Sequence, residues 1–352
     1  MSGGRTLRVA VNLPSQVDIV DQALQDDFPE VHFLKARAYD ELARVLPSCQ
    51  VLITNNSGYT AEVGRLAVRH APVLEWIQFT TTGIDTALRS GLPPGAVVTN
   101  MRGVRAEVLA THAMALLLGV MRGLHSFEPL RERRQWQRDA MTPFTRALEG
   151  GTLLVVGLGS IGRSIARKAR AFEMRVVGVS RQGRSAPDCE RVVPHTQFRE
   201  VLPEADALVL ALPLTEETFH LLGRNELARM KPGAVVVNIA RGGLIDEPAL
   251  IAALQQGRLG GAGLDVVESE PLAPDSPLWG MQNVLLTPHI AGRGGVEQDH
   301  RLAALLADNL RRFQAGRELR NRVDARTGLA LDAHADHPAA DQPAADPPGA
   351  GR

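Results

Sequence analysis

Three reactive side chains in the C-terminal half of the chain stand in matching places, each just past an apolar run. Arg241 follows Val235-Val-Val-Asn238-Ile-Ala240 and precedes Gly242-Gly243, so its backbone can approach a ligand closely. Its guanidinium offers a planar fork suited to a carboxylate. Glu270 closes the run Gly261-Ala-Gly-Leu-Asp265-Val-Val-Glu-Ser-Glu270, and His289 follows Pro288 after Asn283-Val-Leu-Leu-Thr287. Proline fixes the backbone before the imidazole, which suits a proton donor, and a neighbouring carboxylate can hold and charge that imidazole. Each also has a structural reading: an arginine paired to a surface acid, a histidine buried for packing. The three gain weight together, because each ends a strand of what reads as one parallel sheet.

That sheet also carries a phosphate-binding turn. Thr152-Leu-Leu-Val-Val156 reads as a buried strand, and Gly157-Leu-Gly159-Ser160-Ile161-Gly162 follows it into a helix. The spacing G-x-G-x-x-G in strand–turn–helix order predicts a dinucleotide pyrophosphate site. Gly157 permits the tight turn, Gly159 lets the backbone approach phosphates, and Gly162 allows close helix–strand packing. The N–H groups and positive dipole end at Ser160 and Ile161 then face the anion.

Composition narrows the classes of function. The 352 residues suffice for two cores, and 39 basic against 39 acidic residues leave no net charge to recruit nucleic acid or membrane. Cys49 and Cys189 are too few and too far apart for a disulfide framework or a metal site, which suits a reducing, cytoplasmic setting. Met1-Ser-Gly-Gly-Arg5 runs straight into a strand-like segment without a charged-then-apolar leader, and the longest apolar run, Met114 to Met121, is too short to span a bilayer.

The elements that must position these groups follow from periodicity. Short apolar runs at 7–13, 31–36, 51–54 and 74–79 alternate with helix-like stretches and read as a parallel sheet. Ala106 to Leu118 reads as a helix apolar nearly all round, expected to be buried between domains. Strands are expected at 152–156, 175–179, 207–211, 234–239, 260–266 and 283–287, the six of a doubly wound nucleotide fold. Val296 to Phe313 is amphipathic and is expected to return to the first domain. Beyond 327 the chain turns to Ala, Asp, His, Pro and Gly, a composition that favours disorder.

The chain resembles the D-isomer-specific 2-hydroxyacid dehydrogenase family over nearly all its length except the tail. The likeness rests on Thr80-Thr-Thr82-Gly83-Ile-Asp85, Leu154–Gly162, Leu210-Ala-Leu-Pro213-Leu-Thr215, Val237–Asp246, Gly263–Pro271 and Thr287–Gly292. It implies an α/β chain of two doubly wound domains. Residues 103–290 would form a Rossmann dinucleotide-binding domain. Residues 1–102, completed by a returning helix in 291–327, would form a discontinuous flavodoxin-like substrate domain, with 328–352 a disordered tail. It implies a catalytic trio of Arg241, Glu270 and His289, with Asp265 orienting the nicotinamide carboxamide and Pro213 and Ala240 bordering the cofactor. The Thr82–Gly83 backbone would help hold a substrate carboxylate, and Ser57-Gly58 is a further candidate for that pocket. The implied activity is hydride transfer between NAD(P) and a small 2-oxo or D-2-hydroxy acid, as in glyoxylate/hydroxypyruvate reductases. A phosphoglycerate-dehydrogenase-like enzyme and a dinucleotide-sensing binding protein are the alternatives. No metal is implied. A homodimer is, and Ala106–Leu118 and Trp136–Phe144 are candidates for its contact.

Two positions depart from the commoner family pattern. Where an NAD enzyme places an acid on the adenosine ribose, Ser180 stands with Arg181 and Arg184 beside it. A hydroxyl and guanidinium groups hold a 2′-phosphate that a carboxylate repels, so NADP is favoured over NAD. His112 lies in the long helix where a carboxylate is expected for this family.

Overall fold

A computed structural model describes residues 6–13, 24–142, 145–294 and 296–331. The chain divides into two compact units, Met1–Gly103 with Leu305–Arg352, and Val104–Ala304.

The first unit holds five parallel strands: β1 (Arg8–Asn12), β2 (His32–Lys35), β3 (Val51–Thr54), β4 (Trp76–Phe79) and β5 (Val97–Thr99). Their order is β2-β1-β3-β4-β5, the flavodoxin-like arrangement, with its switch between β1 and β3. β3 and β4 are buried at every position, as strands of a parallel sheet are when both faces are covered. β5, three residues after a Pro-Pro-Gly turn, is too short to register as a pattern and was not expected. Leu306 and Leu310 of the helix Val296–Gln314 are fully buried. Between them Asn309 donates to the Gln78 Oε1 at 3.1 Å and accepts from the Arg320 amide at 2.8 Å. Gln78 in turn accepts from Thr99 Oγ1, which accepts from Trp76 Nε1, each at 2.8 Å. This buried chain of donors and acceptors ties the helix to β4 and β5.

The second unit holds seven parallel strands: β6 (Thr152–Val156), β7 (Arg175–Ser180), β8 (Arg191–Pro194), β9 (Ala207–Leu210), β10 (Ala234–Asn238), β11 (Leu259–Leu264) and β12 (Val284–Leu286). In the order β12-β11-β10-β9-β6-β7-β8, the strands from β8 to β11 fill the six places of the Rossmann order and β12 is added beyond β11. The strand the sequence pattern does not show is β8, a half-exposed edge strand ending in proline whose weak apolar signal escapes periodicity. The turn after β6 sits at the switch between β6 and β9, where such sheets bind ligands.

Two of the expected bounds need correction, at 291–304 and at 328–331. The apolar helix, Ala106–Met121, belongs to the second unit, and its Ala110, Ala113, Met114, Leu116, Leu117 and Val120 are buried in that unit's core. Close approach explains it, since a Cβ on Gly263 of β11 would lie 2.8 Å from Leu116 Cβ. Residues 291–304 cluster with the second unit rather than the first, because Ala291 is buried in that core. Residues 328–331 are ordered: Gly328 N donates to Asp324 O at 2.8 Å, and Leu331 N donates to Arg322 O at 3.0 Å. The remainder of the expected tail lies outside the described residues.

Candidate active site

The glycine turn has the geometry its spacing implies. Gly157 has φ +100°, and a Cβ there would stand 2.5 Å from Ala211 O. A Cβ on Gly162 would fall 1.8 Å from Gly157 O, so the helix Ser160–Ala171 can pack this closely only on glycine. At Gly159 a Cβ would meet nothing within 4 Å: the space over the turn is open. The helix end beside it has no side-chain cap and no acid in its first turn. Ser160 and Ile161 begin that turn. Uncapped N–H groups under open space fit a pyrophosphate.

At the end of β7, Ser180 Oγ accepts the Gly183 amide at 3.1 Å, leaving its hydroxyl hydrogen to donate. Arg181 and Arg184 are exposed on either side of Gly183. His195, unremarked in the sequence, donates from Nδ1 to Arg181 O at 3.1 Å and pins this turn beside β8. At the end of β9, Pro213 O accepts from Thr218 Oγ1 at 2.9 Å, folding the 213–218 loop on itself.

Asn238 shapes the turn after β10. Its Oδ1 accepts the Ala240 amide at 3.0 Å and its Nδ2 donates to Arg241 O at 2.8 Å. Arg241 Nη1 donates to Ala240 O at 2.7 Å. A Cβ on Gly242 would sit 1.9 Å from the Val267 carbonyl, so the glycine lets this turn press against the segment after β11.

His289 stands after β12 with φ +53°, a left-handed conformation that costs an L-residue roughly 1–2 kcal/mol. Two backbone bonds hold it there, from its amide to Asp265 O at 2.8 Å and to Thr287 O at 3.0 Å. Its Nδ1 donates to Glu270 Oε2 at 2.7 Å, and the ring is half-exposed. Because Nδ1 faces an acceptor, Nε2 is the nitrogen left to give and take a proton. Asp265 is buried, and its carboxylate accepts from Thr287 Oγ1, Ile290 N and Ala291 N. One lone-pair direction on Oδ2 remains. Thus Glu270 and His289 meet directly, while Arg241 ends the adjoining strand and bonds to its own turn. Asn238 and Thr287, which frame these groups, lie in segments the sequence singled out, yet only contacts reveal their part.

The first unit presents its own set at the ends of β3 and β4. Asn55 Oδ1 accepts from Ser57 Oγ at 3.0 Å and from Gly58 N at 2.6 Å, closing a polar turn. Thr82 and Gly83 are half-buried, and Asn100 fixes their turn by donating to Thr82 O at 2.8 Å. Among the described residues no group of three or more His, Cys, Asp or Glu is placed to hold a metal ion. None of their helices is by itself long and apolar enough to cross a membrane.

Known proteins share this arrangement. A family model, "D-isomer specific 2-hydroxyacid dehydrogenase, NAD binding domain", matches residues 114–291. A glyoxylate reductase of Pyrococcus furiosus is 38% identical over 253 residues, 70% of this chain and 75% of that one. A D-isomer specific 2-hydroxyacid dehydrogenase family protein of Aeromonas salmonicida superposes with a TM-score of 0.80 at 31% identity, covering 91% of this chain and all of the other. An NADPH-dependent glyoxylate/hydroxypyruvate reductase of Sinorhizobium meliloti, solved with NADP and sulfate, gives 0.79 at 26% identity over 92% of this chain and all of that one. With the glycine turn, the strand order and these likenesses together, the chain belongs to the D-isomer specific 2-hydroxyacid dehydrogenases, enzymes that work with NAD or NADP.

Proposed function

We propose that this enzyme reduces small 2-oxo acids of the glyoxylate and hydroxypyruvate class to 2-hydroxy acids, preferring NADPH. The 2.7 Å contact between Glu270 and His289 is the observation that carries the reading. The bound nicotinamide supplies the hydride. Arg241 binds the substrate carboxylate through its fork and draws electron density from the C2 carbonyl. His289 Nε2 delivers a proton to the oxygen as negative charge develops there, and Glu270 stabilises the imidazolium before transfer. One hydride at C2 and one proton at oxygen balance the reduction; the reverse reaction uses neutral His289 as base. Thr82–Gly83 backbone groups, with Ser57–Gly58 as a further candidate, would help hold the carboxylate, and Asp265 would orient the nicotinamide carboxamide. The Glu270–His289 pair, which a proton transfer uses, favours the enzyme over a dinucleotide-sensing protein.

The cofactor preference rests on Ser180, Arg181 and Arg184, where no carboxylate opposes a 2′-phosphate. The enzyme is also proposed to be a cytoplasmic homodimer. Free Cys49 and Cys189 fit a reducing compartment, and the exposed apolar side chains of the stretch before β6 fit a subunit contact. A panel of 2-oxo acids with NADH and NADPH tests the whole reading. Turnover of glyoxylate or hydroxypyruvate, faster with NADPH, is expected. Reduction of simple ketones or aldehydes as fast as of the oxo acids would remove Arg241 from its role.

A further inference from the structure

Asp265 directly follows β11 with no part of its side chain exposed, and almost all its bonding capacity goes to one turn. Oδ1 accepts from Thr287 Oγ1 at 2.7 Å and from Ile290 N at 2.9 Å, and Oδ2 accepts from Ala291 N at 2.9 Å. Its backbone carbonyl accepts the His289 amide. The whole 287–291 turn therefore hangs on this residue.

A further group reaches the network from another element. His112, on the helix Ala106–Met121, places Nε2 2.9 Å from Thr287 Oγ1 and 3.4 Å from Asp265 Oδ1, with its side chain 20% exposed. Counting protons fixes the roles. The Thr287 hydroxyl has one hydrogen and gives it to a carboxylate that has none to return. Toward His112 the hydroxyl oxygen can only accept, so Nε2 carries a hydrogen and donates it. That holds whether the imidazole is neutral or charged.

We infer that His112 is a positioning residue for His289. Its Nε2–H fixes the Thr287 hydroxyl on Asp265. Asp265 so held fixes the amides of residues 289–291, and these keep His289 in its left-handed conformation with Nε2 presented. A residue at φ +53° persists only where its surroundings over-determine it, and this network supplies that restraint. The sequence marked His112 as a departure without a consequence; the contact supplies one. The inference rests on His289 being the proton donor.

Three variants test it. His112→Phe keeps the ring volume and loses the donor, Thr287→Val is near-isosteric and breaks the relay, and His112→Gln restores an N–H near the Nε2 position. His112→Phe and Thr287→Val should each lower kcat for 2-oxo-acid reduction by about tenfold or more, with KM little changed. The double variant should lose no more than either single, because both cut one path. His112→Gln should regain most of the rate. Hydrogen exchange at the Ile290 and Ala291 amides, read in the ligand-free enzyme, should quicken by a similar factor in His112→Phe and Thr287→Val but not in His112→Gln. Exchange needs no turnover, so a parent inactive on 2-oxo acids would sink the proposed function while the network is still tested. If His112→Phe does not fold, Thr287→Val carries both readings. Unchanged exchange at 290 and 291 overturns the inference, even if kcat falls. Faster exchange with unchanged kcat in an active parent overturns the link to His289.

Discussion

At the level of single residues, the imidazole of His289 is held from two sides, by Glu270 on its ring and Asp265 on its backbone. His289→Ala should therefore cut 2-oxo-acid reduction by roughly 100-fold or more, the scale of a positioned acid. NADPH affinity, read by fluorescence titration, should hold, because the pyrophosphate turn lies after β6. Near-normal turnover in a folded variant would sink the assignment. The cofactor choice is argued at this scale too. Replacing Ser180 by Asp and Arg181 by Ser sets a carboxylate where the 2′-phosphate would sit and removes a cation. Each charge-assisted contact is worth about 1.5–3 kcal/mol, so the ratio of kcat/KM values for NADPH over NADH should fall at least tenfold. A parent that prefers NADH would show that the arginines face solvent. The glycine turn and the meeting of Glu270 with His289 were legible because each rests on a short motif whose local context sets its geometry. Asn238, Asn100, His195 and the His112–Thr287 contact were not, because they act through partners chosen by the fold; His112 and Thr287 are 175 residues apart.

Elements were legible in proportion to their length and regularity. The helix Ala106–Met121 and the fully buried β6 stood out, whereas β5 and β8 are short edge strands whose pairing, not their composition, makes them strands. What holds the elements was invisible to periodicity, and two side chains show it. Asn309 is fully buried, and Asn309→Ala would leave the Arg320 amide without its acceptor and Gln78 Oε1 with Thr99 Oγ1 as its remaining donor. The cost should be about 1–3 kcal/mol, seen as a Tm lower by several degrees, and an unchanged Tm would show the network to be dispensable. Glu107 joins two helices of the second unit through Lys168 at 2.9 Å and Arg167 at 2.7 Å. Burial alone would raise its pKa, but the hydrogen bonds from Lys168 and Arg167 and the lysine charge outweigh that and hold the carboxyl below its ordinary 4.5. A folded-state value below the unfolded one means stability present above about pH 4.5 and lost as pH falls through the folded value. Glu107→Gln should thus lower Tm by about 1–3 °C at pH 7, as a largely exposed pair allows, and the gap to the parent should close in acid. A gap that persists at low pH would mean packing, not charge, is at work.

For the whole molecule, the apolar surface left uncovered is the informative quantity. Trp136 is 100% exposed, Leu124 58% and Phe127 40%, all in the stretch joining the long helix to β6. Single exposed apolar residues are ordinary, but several in one segment mark an interaction surface. The sequence suggested two places for a subunit contact. The helix Ala106–Met121 spends its apolar face on its own core, while Trp136 does not; Phe144 lies outside the described residues. A second copy of the chain is the occupant proposed for this surface, since most soluble oligomers are symmetric pairs in which one patch meets itself. Large aromatic anchors at such contacts typically contribute about 2 kcal/mol or more, so Trp136→Ala should weaken the dimer roughly thirtyfold. Light scattering across a dilution series reads this directly: twice the 38.0 kDa chain mass for the parent, and dissociation at a higher concentration for the variant. The folded protomer should be untouched, because a fully exposed side chain makes little packing within its own chain, and an equal far-ultraviolet spectrum would confirm it. A parent that stays at monomer mass at high concentration would leave Trp136 facing water and remove the dimer from the reading.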